Sequence, residues 1–228
     1  MLKFLKIYIL TAFAVIIAAC SDSTGIDDDA VITPNDAVIK PLSIGNTWNY
    51  INTELDTAGT VVFSTEDFTK IVASQEIDGE TWYIEQQGEN PALKQTLVNR
   101  GDGLYTDHGH AYFHPDSPYR IVAYPVVKGE EFIVNRYEIA GKTRELYRRV
   151  LDVNIKTTVP AGTFRCIKYA DRLTDHSGRV LQDTVNINYY APNVGLVKSM
   201  RYREFNGKLY NWAVSELEGY YLEKNSNN

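Results

Sequence analysis

The stretch FTKIVASQEIDGETWYIEQQ, from Phe68 to Gln87, decides the fold. Both arms are rich in β-branched and aromatic residues, and Asp78-Gly79 between them accepts the positive φ angles that a two-residue hairpin turn requires. The turn fixes a register in which Ala73 faces Ile84 and Gln75 faces Trp82. Asn206-Gly207 makes a second hairpin of the same kind. Counting back from it places Met200 opposite Ala213, Leu196 opposite Leu217, Arg201 opposite Trp212 and Arg203 opposite Tyr210. The arginine–aromatic rungs imply a partly solvated face, on which a guanidinium stacks while its head stays wet.

Working outward, further turn signals recur at Thr57-Ala58-Gly59, Gly101-Asp102-Gly103, His108-Gly109, Ala140-Gly141 and Asp175–Gly178. No stretch of helical length has apolar residues at helical spacing between two caps. The expectation is an all-β domain over residues 39–222. It is a single antiparallel meander of about a dozen strands, curved enough to be a half-barrel or sandwich-like. Residues 223–228 read as a polar, frayed tail.

Upstream of the domain the chain carries an address. Lys3 and Lys6 precede an apolar run of 13 residues from Ile7 to Ala19, too short to span a bilayer and typical of a signal peptide over residues 1–19. Ile17-Ala18-Ala19-Cys20 resembles the lipobox of bacterial lipoproteins. That resemblance implies cleavage between Ala19 and Cys20, a diacylglyceryl group on the Cys20 thiol and a further acyl chain such as palmitate. A plain secretory signal that happens to contain a cysteine is the alternative. One acyl chain anchors only marginally, at about 0.8 kcal/mol per buried methylene, whereas two or three anchor stably. Ser21 after the cysteine implies transfer to the outer membrane, and Asp27–Asp29 resembles the charged tethers of surface-displayed lipoproteins. Residues 20–38 form the lipidated cysteine and an acidic, disordered tether, which places the domain roughly 20–25 Å from the membrane.

Composition excludes other classes. With 23 Lys+Arg against 29 Asp+Glu the formal charge is −6, and loss of Lys3 and Lys6 with the signal makes it −8. Such a surface offers no nucleic-acid footprint, and the lipid at Cys20, not the protein surface, is the membrane partner. Two cysteines make no disulfide scaffold, and once Cys20 is acylated Cys166 is the remaining thiol. A buried free cysteine behaves as a small apolar residue, and no histidine lies near it in sequence to activate it.

Three short patterns follow in order: PLSIGNTWNY from Pro41 to Tyr50, VPAGTFRC from Val159 to Cys166, and YAPNVGLVK from Tyr190 to Lys198. Together they resemble the DUF3108-type domain of exported bacterial proteins and lipoproteins of unknown function. The resemblance implies a curved antiparallel sheet and supplies no catalytic residue. Asn193 stands where the pattern has glycine, and asparagine tolerates the positive φ such a turn demands.

Candidate chemistry is sparse. His108, His110 and His114, with Asp107 and Asp116 nearby, give a histidine-rich tip. If His108-Gly109 turns, His114 lies about 13 Å along the strand from His110, too far to share an ion. His108 and His110 are left as weak metal-ligand candidates, beside a purely polar hairpin tip. Glu130 and Glu131 are neighbours along a strand and point to opposite faces, so they make no acid–base pair. No phosphate-binding loop, nucleophile elbow or zinc-protease motif occurs, and nothing calls for a cofactor. The 16 tyrosines suit strands, and they also suit sugar- or lipid-binding surfaces. The reading is a lipid-anchored envelope protein of non-enzymatic role, holding a hydrophobic or glycan ligand in a concave sheet. The alternatives are an accessory protein that docks on an envelope partner and, third, a hydrolase with an unidentified site.

Overall fold

The turn chemistry works as the sequence demands. Asp78 and Asn206 take φ of 50° and are followed by Gly79 at 80° and Gly207 at 72°, the paired positive angles of a tight hairpin. The structure is a computed structural model that describes residues 37–107 and 118–223. Among these residues there is no helix, and the strands are twelve: β1 (Thr47–Leu55), β2 (Val61–Ile77), β3 (Glu80–Gln87), β4 (Lys94–Arg100), β5 (Gly103–Asp107), β6 (Tyr119–Ala123), β7 (Glu131–Ile139), β8 (Lys142–Val159), β9 (Gly162–Asp175), β10 (Val180–Ala191), β11 (Gly195–Phe205) and β12 (Lys208–Tyr221).

All twelve form one antiparallel sheet in the order β6-β5-β4-β3-β2-β1-β12-β11-β10-β9-β8-β7. The first and last strands pair in the middle, and the two edges, β6 and β7, are consecutive in the chain. Side chains on the far wall bridge this seam. Arg148 on β8 donates through Nη1 to the Ile121 carbonyl at 2.7 Å, and the Tyr169 hydroxyl on β9 donates to the Ala123 carbonyl at 2.7 Å. Val122 and Ala123 of β6 share a core with Phe132 and Val134 of β7 and with Val150 and Tyr169. The meander thus curls into a nearly closed barrel, and burial of each large apolar side chain at the seam contributes about 1.5–3 kcal/mol. Gly103 permits the tight β5–β6 approach, since a Cβ there would stand 2.1 Å from the Val122 carbonyl oxygen.

A second core gathers around Trp48, Tyr50, Ile71, Phe164, Cys166 and Leu217. Two of the quoted patterns line one end of the barrel. VPAGTFRC carries the β8–β9 turn, where the Ala161 amide donates to the Leu217 carbonyl at 3.0 Å. YAPNVGLVK carries the β10–β11 turn, with Asn193 at φ 61°.

The first hairpin keeps the expected register, Ala73 opposite Ile84 and Gln75 opposite Trp82. The second keeps it through Arg203 opposite Tyr210 and Tyr202 opposite Asn211. A bulge between Arg201 and Tyr202 then shifts the pairing, so Arg201 faces Ala213 and Met200 faces Val214. Trp212 is the extra residue, and no local sequence signal marks it. The offset continues to Lys198 opposite Glu216, so Leu196 and Leu217 are out of step; Leu217 pairs with Tyr50 on β1.

Candidate functional site

The site begins with the segment that precedes β1. The Val38 amide donates to Asn193 Oδ1 at 3.1 Å, and the Val38 carbonyl accepts from the Asn193 amide at 2.7 Å. Ala37 packs against the first core as well, so contact with the barrel reaches back into the stretch read as tether. Ile39 is buried in the first core, and the Asn99 side chain donates to the Lys40 carbonyl at 2.8 Å. Gly195, at φ 107°, leaves room for Lys40; a Cβ there would sit 3.2 Å from Lys40 Cγ. The segment lies across the barrel end and sends one cation inward.

Inside, Lys40 donates to Glu85 on β3, and its ammonium lies 4.1 Å from the centroid of the Trp48 ring. Gln95 on β4 donates to the other Glu85 oxygen at 2.7 Å. Burial pushes the Glu85 carboxyl up, but the Lys40 charge and the donors around it outweigh burial and hold it below its usual value. Glu85 is thus a carboxylate and cannot act as a proton donor near neutral pH. Burial also raises the Tyr50 and Tyr190 phenols, which therefore stay neutral.

Above this ion pair lies a cavity of about 240 Å³, with lining residues from nine of the twelve strands. Tyr50, Leu97, Leu104 and Tyr190 supply apolar and aromatic surface. Amides and hydroxyls supply much of the rest: Asn52, Thr69, Gln87, Gln95, Ser199 and Ser215. Asp67 also lines it, with Oδ1 taken by the Phe68 amide at 2.8 Å and Oδ2 by the Gln87 amide nitrogen at 2.9 Å. The wall is held from behind. Ser199 donates to Asn188 at 2.8 Å, Asn188 to Asp171 at 3.1 Å, and Asp171 receives Arg148 through Nε at 2.6 Å and Nη2 at 2.8 Å. In this relay from Ser199 to Arg148 every side chain is hydrogen-bonded to the next, which stiffens that part of the wall.

At the rim, Arg201 lines the cavity and Arg203 follows two residues on, on the same face. The bulge turns Trp212 toward them, with the guanidinium carbons 5.8 Å and 3.6 Å from its ring centroid. The arginine–aromatic stacking read from the sequence is present. Both arginines are exposed, as a partly solvated face requires, and Arg201 is the member of the cluster that lines the cavity.

The lipidation and cleavage positions Cys20 and Ala19, and the histidines His108, His110 and His114, lie outside the described residues. Among the described residues no three histidine, cysteine or acidic side chains gather as a metal site. Cys166 is fully buried, and burial pushes its thiol up to about 11. It behaves as the small apolar residue its surroundings require.

The DUF3108-like family model matches residues 128–214, which include the VPAGTFRC and YAPNVGLVK patterns but not PLSIGNTWNY. No curated protein matches the chain. A Bacteroides fragilis protein described as exported, with a YmcC-like fold, is similar at 16% identity and a TM-score of 0.50, over 82% of this chain and all of that one. A Parabacteroides distasonis protein described as a lipoprotein aligns at 16% identity with a TM-score of 0.47, over 81% of this chain and 99% of that one. The chain is a twelve-stranded antiparallel barrel-like protein with the architecture of the B. fragilis exported protein, and its residues 128–214 are similar to the DUF3108-like family.

Proposed function

We propose that this is a lipid-anchored envelope protein that holds a polyhydroxylated ligand, a glycan, in its barrel without turning it over. The observation that carries the reading is the cavity wall. Ringed by amides and hydroxyls and floored by a neutralised ion pair, it offers donors and acceptors to sugar hydroxyls, with tyrosine rings beside them. The same polarity disfavours the hydrophobic ligand, because an apolar chain would strip water from these groups without replacing their hydrogen bonds. Glu85, the buried carboxylate of the cavity, is tied to Lys40, which supports a binding role over hydrolysis.

The lipobox at Cys20 and the described exported and lipoprotein nature of the similar proteins support placement in the cell envelope. Ser21 favours the outer membrane. Native mass spectrometry of the full-length protein, extracted from envelope membranes in mild detergent, tests the reading. A reproducible extra mass that extracts as sugar supports it; an extra mass that extracts as fatty acid or lipid overturns it.

Docking on an envelope protein is the second reading, favoured by one observation. β3 pairs with β2 only from Thr69 onward, so the Val61–Asp67 edge is open, and Val61, Val62 and Phe63 are 60%, 67% and 57% exposed. Such an edge accepts an extended strand from a protein partner. Slow exchange in native envelopes of those Val61–Asp67 amides that point away from β1, and fast exchange of the same amides after extraction, is the expected sign. Fast exchange in both would remove this reading.

A further inference from the structure

We infer that the ligand is acidic: a sugar whose carboxylate or phosphate is held by Arg201 and Arg203 at the cavity rim. This rests on the glycan reading above and gives the ligand its charge.

The argument is one of unfilled donors. Lys40 is paired with Glu85, Arg148 with Asp171, and Lys198 with Glu216 at 2.7 Å. Arg201 and Arg203 have the Trp212 ring as their contact and no carboxylate among the described residues. What sets these two apart is their place: both guanidinium groups lie against one ring, and Arg201 lines the cavity.

The nearby acids do not cancel them. Asp67 already accepts from the Phe68 amide and Gln87. Glu54 pairs with Ala213, which pairs with Arg201, so it stands two strands away, about 9–10 Å at the usual strand spacing. Each guanidinium presents a planar fork of N–H donors that fits a carboxylate or phosphate in bidentate fashion. Stacking on the Trp212 ring orients the forks without using their donors. Trp212 reaches this position only through the bulge, so the irregularity in β12 belongs to the site.

Calorimetric titration of the full-length protein in detergent with trigalacturonate, neutral galactotriose and mannose 6-phosphate tests the inference and separates a carboxylate from a phosphate source. Acidic ligand is expected to bind about tenfold or more tightly than the neutral trisaccharide, with a preference that fades as salt rises. In the R201Q/R203Q variant the acidic and neutral sugars are expected to bind alike. Arg203→Lys keeps the charge but loses the fork, and is expected to give an intermediate preference. Equal binding of acidic and neutral sugar to the wild type overturns the acidic ligand and leaves the glycan cavity standing. No binding of any of the three sugars overturns both. Should the double variant misfold, the salt dependence of the wild-type preference decides: a preference that salt leaves unchanged overturns the inference.

Discussion

Lys40, in the segment before the first strand, donates its ammonium to Glu85 on β3, 45 residues further along the chain. Both side chains are nearly buried, at 9% and 4% exposure. This contact ties the chain's entry segment to the barrel floor and leaves the cavity floor electrically neutral. Two charges removed from water stay there only while they face each other.

Removing one partner therefore exposes the cost of the other. Lys40→Met is expected to destabilise the protein by about 3–5 kcal/mol in urea unfolding, because Glu85 is left as a buried, unpaired carboxylate. The double variant Lys40→Met/Glu85→Leu is expected to recover most of that loss. A Lys40→Met variant as stable as the wild type would show that the ion pair is not a structural element.

The pair also sets a pH dependence. The Glu85 carboxyl lies below its ordinary 4.5 in the fold, so the unfolded chain binds its proton more readily. Its stabilisation is fully present above about 4.5 and is lost as pH falls through the lower folded value. The stability gap between the wild type and Lys40→Met/Glu85→Leu is expected to shift steadily against the wild type as pH falls below about 4.5. A gap that moves in the wild type's favour on acidification would contradict the assignment.

At the seam, Tyr169→Phe removes the hydroxyl that reaches the Ala123 carbonyl. The expected cost is about 1–3 kcal/mol, with faster amide exchange concentrated in Tyr119–Ala123. Arg148→Met is expected to cost more, since it also strands Asp171, which is fully buried. Unchanged exchange in β6 for both variants would mean that packing alone closes the barrel.

Much of this fold was legible, and the unreadable parts have physical reasons. Asp78-Gly79 and Asn206-Gly207 fix their turns because few residues accept two positive φ angles in succession. Strand content and the single meander followed from β-branched and aromatic runs between such turns. The Trp212 bulge was not legible, because its cause is the fit of β12 against β11, not a residue preference. The polar interior was hidden for a related reason. Asp171, Asn188 and Ser199 are polar residues of a kind expected on an outer face, yet they are buried and satisfy one another across three strands. Nothing in the sequence around Lys40 marks it as a buried cation, because its partner Glu85 lies 45 residues further along the chain.

At the membrane end, Cys20→Ser is expected to leave the signal uncut at the lipobox and to abolish labelling by radioactive palmitate in a bacterial host. Palmitate incorporation that survives this change would remove the anchor from Cys20.

The most direct test is native mass spectrometry of the full-length wild type beside Ser215→Phe, both extracted from envelope membranes. Ser215 lines the cavity and is half-buried, so a phenyl ring there fills the space a ligand would occupy. The expected result is an extra mass on the wild type that extracts as sugar, with occupancy about tenfold lower or less on the variant. A wild type that carries no extra mass, or a variant that carries the same one, would contradict a ligand held in this barrel.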